Sequence, residues 1–428
     1  MRDADVVIVG AGAAGLSLAH RLCAPTAGRH RPTVVLVDAP SGPLRPPERT
    51  WCFWEPPGGP YDAVLAASWG RLRVRGPDGS ATVADPAPFR YKMLRSGAFE
   101  RLVGERLSGP DGCRRIEAVV ESVQDTATGA RVRGHDAAGL PLELNARWVF
   151  DSRPLPRLPA ARTTLLQHFR GWFVRTADDA FDPSVADLMD FRTPRPAHGL
   201  SFGYVLPLGP RHALVEYTEF SAGVLDAARY DAALRHYTDD VLRLGRFEVT
   251  GVEQGVIPMT DGRFTPRAGR SVFRIGTAGG ATRASTGYTF AAVQRQTQAV
   301  ADALLTGRPT VGGRPRRAPV PPSPHSRRSR AMDAVMLRAL DTGRVDGADF
   351  FTGLFRRVPT ERLLRFLDGG SGPGEDFLIG LSTPVAPMLR TVAELPFLRR
   401  HGPREPGPRE PGPREPVVRR PDPPRSHP

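Results

Sequence analysis

The chain has 428 residues, 40% of them hydrophobic, and a formal net charge of +14. This length and composition accommodate two packed cores or one large interwoven core. The charge is concentrated in two segments, because residues 307–330 hold seven arginines and no acid, and residues 399–428 hold eight arginines against four acids. These segments supply +11 of the +14, so the remainder is nearly neutral, which argues against a dedicated nucleic-acid-binding function.

Other function classes are excluded by what the sequence lacks. It has no uninterrupted apolar run of about 18 residues, so we predict no membrane-spanning segment. The first residues, MRDADVVIVG, lack the pattern of a signal peptide. Cys23, Cys52 and Cys113 are too few and too scattered for a disulfide framework or a zinc site. We therefore expect a cytoplasmic protein without a metal site.

The first 40 residues predict a dinucleotide-binding βαβ unit. A buried strand, DVVIVG, precedes the loop GAGAAG, the helix LSLAHRL and a second strand that ends at Asp38, 23 residues after Gly15. In such a unit Gly10 permits the tight turn, Gly12 lets the backbone approach a pyrophosphate, and Gly15 lets helix and strand pack closely. Asp38 stands where an acid accepts hydrogen bonds from a ribose. The alternative is a βαβ unit whose glycines serve packing alone.

A second glycine-rich loop follows a strand late in the chain, in IGTAGGATRASTGYTF. We predict that Gly276, Gly279 and Gly280 form this loop and that a helix spans residues 288–305. A nicotinamide enzyme needs only one such loop. FAD enzymes with two dinucleotide-binding segments have a second one, whose helix points its positive end at the flavin, and reduced flavin carries negative charge. The alternative is an ordinary αβ crossover.

The last third of the chain changes composition twice. Residues 307–330 are rich in Pro and Arg and predict a linker or long surface loop. Residues 331–398 carry apolar side chains at helical spacing and predict a helical C-terminal part. From Arg399 we predict disorder, because GPREP is repeated three times between residues 402 and 416 and prolines at this density prevent helices and sheets.

An ordered set of motifs resembles the bacterial lycopene cyclase family, the flavin-dependent carotenoid β-cyclases. The resemblance covers nearly the whole chain up to about residue 395 and rests on these segments: RTWCFWE (49–55), YKMLRSGAFE (91–100), VFDSRP (149–154), LLQHFRGWFV (165–174), LMDFR (188–192), FGYVLPL (202–208), ALVEYTEFS (213–221), EQGVIPM (253–259) and the late loop (275–290). Two positions depart from the family pattern. Thr277 stands where many flavoproteins have an Asp, and Tyr217 follows Glu216 where many relatives have a second acid.

The resemblance implies an α/β fold, in which an FAD/NAD(P)-binding Rossmann-like domain is interwoven with an antiparallel-sheet substrate domain and a helical C-terminal part. The corresponding segments are 1–45, 91–155 and 256–306 for the FAD domain, 46–90 for the flavin and substrate pocket, 156–255 for the substrate domain, 307–330 for the linker, 331–398 for the helical part and 399–428 for the tail. The resemblance also implies reduced FAD, with NAD(P)H as the reductant, and conversion of the ψ-ends of lycopene to β-rings, giving β-carotene by way of γ-carotene without net redox change.

A lipid-dissolved substrate without a spanning segment implies a protein bound peripherally to the membrane surface. Residues 377–398 are apolar but interrupted by prolines, so we expect them to enter the interface. Related acyclic carotenoids and other enzymes of carotenoid biosynthesis are the further partners that the resemblance implies. The sequence leaves open whether one or both ends are cyclised, whether NADH or NADPH is used, which oligomer forms, and whether a second acid assists.

Proton-initiated cyclisation requires an acid in a dry pocket and electron-rich surroundings for a cation. Strand alternation places Glu216 on one face with Leu214 and Phe220, where burial would raise the carboxyl pKa. The alternative from the residues alone is an exposed strand carboxylate, but the family motif gives the matching glutamate the catalytic role. Glu219 and Asp190 are the reserve acids. For Asp190 with Arg192, an internal ion pair and a pocket position stay open.

The cation pocket is predicted from Trp51, Phe53 and Trp54, because electron-rich ring faces attract a cation. Core packing at a domain junction is the alternative for these rings. His168 is interpreted as a hydrogen-bonded structural residue. Two rival functions share the fold or the ligands: an FAD-dependent monooxygenase or reductase acting on an isoprenoid lipid, and a flavin- or carotenoid-binding protein without turnover.

Overall fold

The computed structural model describes residues 2–24, 31–42, 44–108, 113–196, 198–305 and 319–402. The strands within these ranges are β1 (Ala4–Val9), β2 (Val34–Asp38), β3 (Thr50–Glu55), β4 (Ala67–Trp69), β5 (Arg71–Arg75), β6 (Ala81–Ala84), β7 (Arg90–Arg95), β8 (Arg114–Thr126), β9 (Gly129–Asp136), β10 (Pro141–Asp151), β11 (Thr164–Thr176), β12 (Val185–Asp190), β13 (Leu200–Gly209), β14 (His212–Ser221), β15 (Phe247–Thr260) and β16 (Val272–Arg274). The α-helices are α1 (Ala13–Cys23), α2 (Ser96–Leu107), α3 (Ala227–Arg235), α4 (Phe290–Leu305), α5 (Arg327–Asp341), α6 (Gly347–Arg357), α7 (Thr360–Leu367), α8 (Pro373–Leu381) and α9 (Val385–Glu394).

The first sheet is parallel in the order β8-β2-β1-β10-β16, and β9 joins β8 and β10 as an antiparallel meander. All five residues of β2 are buried, as expected of a central parallel strand with both faces covered. Helices α1, α2 and α4 pack on one face through side chains such as Leu18, Phe99 and Val293. The meander covers the other face. This is the predicted Rossmann-like arrangement.

The second sheet has seven strands in the order β15-β11-β14-β13-β12-β5-β6, and its pairings are antiparallel except for β12 with β5. One face packs on the C-terminal helices through residues such as Leu214, Phe220 and Leu337. The opposite face packs on α3 through Val215 and Tyr230. The period-two alternation of β14 therefore serves two separate cores. A small sheet, β3-β7-β4, contributes side chains to both the FAD-domain core and the substrate-domain core. The predicted fold class is confirmed.

Three predicted boundaries were wrong. Helix α4 begins at Phe290 rather than 288, because residues 281–289 form an irregular segment after the glycine-rich loop. Helix α5 begins at Arg327, inside the predicted linker, where the Ser326 side chain caps its first turn by accepting the Ser329 N–H. The fold also extends past Arg399, since His401 exchanges backbone hydrogen bonds with Ala161. Residues 307–318 of the predicted linker and residues 403–428 of the predicted tail lie outside the described residues.

The cysteines Cys23, Cys52 and Cys113 are free thiols. Cys23 and Cys113 are nevertheless neighbours whose thiols interact, although they are far apart in sequence. Within the described ranges, no helix is long and apolar enough to cross a membrane. The same ranges contain no group of three or more potential metal-ligating side chains.

Candidate active site

The first glycine-rich loop has the geometry of a phosphate-binding turn. Gly10 has φ +93°, which L side chains rarely adopt, and a Cβ at Gly15 would lie 1.8 Å from the Gly10 carbonyl oxygen. These two glycines are therefore required by the protein's own backbone. Gly12 differs, because nothing lies within 4 Å of the position of its Cβ. The open side of Gly12 is where a ligand can approach the backbone.

The N-terminus of α1 is equipped for an anion. Its N-cap residue, Gly12, has no side chain to accept the free N–H groups, and the first turn holds no acidic residue. Asp38 lies beside this turn, 8% exposed. Its Oδ1 accepts the N–H groups of Ala11 (3.3 Å) and Ala39 (3.0 Å), and its Oδ2 accepts a hydrogen bond from Arg115 (3.0 Å). Asp38 thus fixes the loop, while its predicted role toward a ribose stays a prediction.

The late loop packs directly on the first. Gly276 has φ +65°, and a Cβ at this position would lie only 2.8 Å from the Cβ of Ala14 in α1. Its N–H donates to Oε1 of Gln296 in α4 at 2.9 Å, and Gly280 closes the turn with φ +79°. Gly279 is buried against the backbone at Arg274, whereas Thr277 is exposed. The structure therefore brings the two glycine-rich loops together, as a single dinucleotide site requires.

Glu216 lies in a row of four residues across the second sheet. Its neighbours in register are Tyr204 on β13 and Gly171 on β11, and Gly171 in turn is paired with Glu253 on β15. Residues directly opposite each other in antiparallel strands share a face. Leu214 and Phe220 from the Glu216 face belong to the core under the C-terminal helices. The predicted face of Glu216 is confirmed.

The environment of Glu216 favours its protonated form. Burial raises the carboxyl pKa, and the nearby Glu253 carboxylate raises it further, to about 8. Oε1 of Glu216 accepts a hydrogen bond from Oγ1 of Thr218 at 2.8 Å. This bond lowers the carboxyl pKa but does not cancel the effects of burial and of Glu253. The side chain keeps some accessible surface, although it lies deep in the protein. A carboxyl group with this pKa can both donate and accept a proton near neutral pH.

Polar side chains beside Glu216 form a cluster of phenols and a thiol. Tyr91, Tyr204 and Tyr288 have interacting hydroxyl groups, and the Cys52 thiol lies among them. Burial is the main reason that the pKa of each of these four groups lies above its usual value. All four are therefore neutral hydrogen-bonding groups at physiological pH, and the cluster combines aromatic faces with proton-exchanging hydroxyls.

The structure divides the three predicted cation-pocket rings between two cores. Trp54 lies on the Glu216 side, with its ring 4.5 Å from that of Tyr288 in an edge-on contact. Trp51 and Phe53 point to the other side of β3 and pack on Phe290 at 5.4 and 4.7 Å, in the FAD-domain core. Alternation along a strand explains this division. Only Trp54 therefore lies on the side of β3 that faces the Glu216 cluster, and the predicted role of the three rings toward a cation stays a prediction.

A pocket opens on the surface beside these rings. It has a volume of about 220 Å³ and lies between β3 and α4, where Phe53, Trp54, Phe290 and Asp368 contribute to its wall. Trp54 is shared between this pocket and the Glu216 cluster. The pocket therefore lies next to the cluster.

The reserve acids lie elsewhere. Glu219 is on the opposite face of β14, where it accepts a hydrogen bond from the Tyr217 hydroxyl at 2.6 Å and lies 3.5 Å from His168. His168 is fully buried and forms hydrogen bonds with the hydroxyls of Tyr230 and Ser221, which supports its interpretation as a structural residue. Asp190 forms the internal ion pair with Arg192 and accepts a hydrogen bond from the Tyr237 hydroxyl, which belongs to the core under α3.

Other residues of the quoted motifs serve local structure. Asp151, at the end of β10, pairs with Arg153, and its carbonyl accepts the N–H of Ile275 before the late loop. Arg49 is exposed. The residues that sequence reasoning missed are Glu253, Tyr204, Tyr288 and Tyr91. Each stands inside a motif quoted above. Strand register places Tyr204 and Glu253 in the row of Glu216, whereas Tyr91 and Tyr288 come near it through the packing of other elements.

Comparison with known proteins agrees with this geometry. The family model described as "Lycopene cyclase protein" matches residues 5–393. No curated protein matches. Solved structures with a similar fold include a geranylgeranyl bacteriochlorophyll reductase-like protein from Thermoplasma acidophilum (TM-score 0.54, 13% identity, 91% of this chain and 96% of that one). Another is the flavin-dependent brominase Bmp2 (TM-score 0.59, 13% identity, 92% of this chain and 100% of that one). A third is aklavinone-11 hydroxylase in complex with FAD and aklavinone (TM-score 0.51, 17% identity, 71% of this chain and 62% of that one). Since the family model spans most of the sequence, the chain belongs to the lycopene cyclase family.

Proposed function

We propose that the protein is a lycopene β-cyclase, which converts the ψ-ends of lycopene to β-rings by proton-initiated cyclisation. The observation that carries this proposal is Glu216, a carboxyl group held protonated near neutral pH on a buried sheet face and surrounded by aromatic side chains. A protein that only binds a flavin or a carotenoid has no need of such an acid. The family assignment supports the same reaction.

The reaction requires no net change of atoms or electrons. Glu216 donates its proton to the terminal double bond, which leaves a tertiary cation on the hydrocarbon. A second double bond of the chain attacks this cation and closes the six-membered ring. The ring cation then loses a proton from carbon, and the Glu216 carboxylate accepts it, which restores the acid. Trp54 and Tyr288 offer ring faces to the cation during these steps.

FAD fits the two glycine-rich loops. The open side of Gly12 and the uncapped start of α1 would hold the pyrophosphate, and Gly276 with Thr277 would face the flavin end. Reduced FAD, when bound, supplies negative charge that stabilises a nearby cation. NAD(P)H is the reductant that we propose for it. The chain's own contribution is to hold these loops in contact through Gly276 and Ala14.

An FAD-dependent monooxygenase or reductase is the alternative, since solved structures of similar fold include a hydroxylase and a reductase-like protein. The deciding experiment incubates purified protein anaerobically with lycopene in liposomes and chemically reduced FAD, in heavy water. We expect β-rings by chromatography, one deuterium in each new ring by mass spectrometry, and no flavin oxidised per turnover. Oxidation of one reductant per product would overturn the cyclase proposal in favour of the alternative.

We further propose that the protein binds peripherally to an anionic membrane surface through α8 and α9. Exposed apolar side chains are concentrated there: Phe377 (67% exposed), Leu378 (49%), Leu381 (55%), Val385 (41%), Leu389 (61%), Val392 (49%) and, just beyond, Phe397 (86%). Between residues 377 and 393 the single charged residue is Arg390, a cation, and the acids of the same helices, Glu375, Asp376 and Glu394, are paired with arginines. An apolar face with a basic charge suits the interface of an anionic bilayer, where a dissolved C40 hydrocarbon would be reached.

A further inference from the structure

A second carboxylate lies on the same sheet face as Glu216. Glu253, on β15, is 7% exposed. Strand β11 runs between β14 and β15, and its residue Gly171 is paired with Glu216 on one side and with Glu253 on the other. The two carboxyl groups therefore flank the one position of this row that has no side chain. The sequence offered EQGVIPM as a motif without assigning a role to its glutamate.

The missing side chain at Gly171 makes room for Glu216. A Cβ at Gly171 would lie 3.3 Å from Cβ and 3.5 Å from Cγ of Glu216, and 2.8 Å from Cδ1 of Leu214. Glu216 thus occupies the space above β11, on the side where Glu253 lies. Even an alanine at position 171 would require Leu214 and Glu216 to shift. The row is built so that the two carboxyl groups can influence each other.

Both carboxyl oxygens of Glu253 accept hydrogen bonds from neighbouring side-chain and backbone donors. Its Oε1 accepts the backbone N–H of Thr50 at 2.7 Å, and its Oε2 accepts the Thr50 hydroxyl and lies 3.4 Å from Nη1 of Arg95. A peptide N–H and a guanidinium can only donate, so both oxygens act as acceptors, as in an ionised carboxylate. Thr50 is the first residue of β3, the strand that brings Cys52 and Trp54 to the site. Glu253 therefore fastens β3 to the second sheet.

We infer that Glu253 is a positioning residue of the site, which anchors β3 through Thr50 and places a fixed negative charge across Gly171 from Glu216. As far as it concerns cyclisation, this inference rests on the proposed function. It adds a second acid that acts through the first, in a family member whose motif has Tyr217 in place of an adjacent acid. Glu253 does not itself need to touch the substrate.

The effect of Glu253 on the ionisation of Glu216 depends on the other charged groups around the two side chains. Among the described residues, the neutral side chains that face the cluster are Tyr204 from β13, Thr218 from β14, Cys52 from β3, Tyr91 from β7 and Tyr288 before α4. The charged groups near it are Glu253 with Arg95 from β7, and Asp368 after α7, which lines a pocket with Cys52 and Tyr288 and is paired with Arg295. Arg95 also binds Glu48 and stacks 4.4 Å over the Phe173 ring, so its charge is shared. A like charge near a carboxyl disfavours its ionisation, so Glu253 helps to keep Glu216 in the acid form.

The test compares Glu253→Gln with Thr50→Val. Glu253→Gln keeps the shape but removes the charge, so Glu216 should lose its proton at a lower pH, by roughly one pH unit. The alkaline limb of the cyclisation pH profile should move by the same amount. Thr50→Val loses the two hydrogen bonds of the hydroxyl, to Glu253 and from Arg95, but keeps the charge of Glu253, so its limb should stay in place. An infrared titration of the protonated carboxyl band, identified by its absence in Glu216→Gln, measures the same shift without any turnover.

The outcomes separate this inference from the proposed function. Absence of cyclisation by the wild-type protein would refute the function, while the infrared titration would still decide about Glu253. An unchanged Glu216 titration in Glu253→Gln would overturn the inference. If Glu253→Gln does not fold, Glu253→Asp takes its place, because its side chain is one methylene shorter and holds the carboxylate farther from Glu216. A smaller shift in the same direction is then expected, and no shift or the opposite one would count against the inference.

Discussion

The ring of Trp54 meets the ring of Tyr288 edge-on, with 4.5 Å between the centroids and 68° between the planes. This contact joins the RTWCFWE strand to the segment that follows the late glycine-rich loop. We expect Trp54→Leu to lower cyclisation by roughly 5- to 30-fold, because a lost ring face removes roughly 1–2 kcal/mol of cation stabilisation in a desolvated site. FAD binding should change little. The measurement is kcat for β-ring formation alongside the flavin content of the purified protein.

Trp51→Leu is the matched control for Trp54, because the two residues lie on the same strand but on opposite faces. The Trp51 ring packs on Phe290 and Phe99 in the FAD-domain core. Its loss should lower stability or flavin content while the remaining holoenzyme keeps its kcat. Equal loss of kcat per bound flavin in both variants would show that the Trp54 contact has no special role in the reaction.

Glu216→Gln should bind FAD normally and fail to cyclise. The amide keeps the shape and can still accept the Thr218 hydrogen bond, but it cannot cycle a proton. Positioned acid–base groups contribute about 10²–10⁴-fold, and we expect the upper end because the alkene is unactivated. Glu219→Gln is the control, since Glu219 faces the opposite core beside Tyr217 and His168. Near-normal ring formation by Glu216→Gln would move the acid role to another residue.

Stability should depend on pH through Glu216. Its pKa is about 8 in the folded protein against an ordinary value of 4.5, so the folded state binds this proton more tightly than the unfolded state. The contribution is complete below about pH 4.5 and is lost as pH rises to about 8, with a slope of at most about 1.4 kcal/mol per pH unit. Denaturant unfolding of wild type and Glu216→Gln across this window should show the wild type losing stability relative to the variant. Parallel curves would contradict the raised pKa.

Much of this site could be predicted from local sequence, because glycine spacing and strand alternation are local properties. The loops at Gly10–Gly15 and Gly276–Gly280 and the face of Glu216 are of this kind. The pairing of Glu216 with Gly171, and of Gly171 with Glu253, depends on the register of three strands that are distant in sequence. Trp51, Phe53 and Trp54 are adjacent in sequence, but strand alternation places Trp54 in one core and the other two rings in another.

Gly12→Val should abolish FAD binding without unfolding the protein. Nothing lies within 4 Å of the Cβ position of Gly12 and its φ of −78° suits any residue, so the valine is tolerated by the protein but blocks the approach of a pyrophosphate. Gly15→Ala is the contrast, because its Cβ would collide with the Gly10 carbonyl oxygen and destabilise the fold itself. Flavin absorbance and thermal unfolding distinguish the two. Wild-type flavin stoichiometry in Gly12→Val would refute the assigned site.

Membrane binding should depend on the apolar side chains of α8 and α9. Phe377→Ser combined with Leu389→Gln removes two side chains that are 67% and 61% exposed, so folding should be unaffected. Burying such a side chain is worth roughly 1.5–3 kcal/mol, so flotation with anionic liposomes should weaken at least about tenfold. Leu140→Gln, 63% exposed in the turn between β9 and β10, is the control and should float like wild type. Binding should also weaken with salt and with neutral lipids, because Arg390 adds electrostatic attraction. Undiminished flotation of the double variant would exclude this face as the contact, and equal recovery of the wild-type protein with and without anionic lipid would exclude the charge-assisted mode of binding.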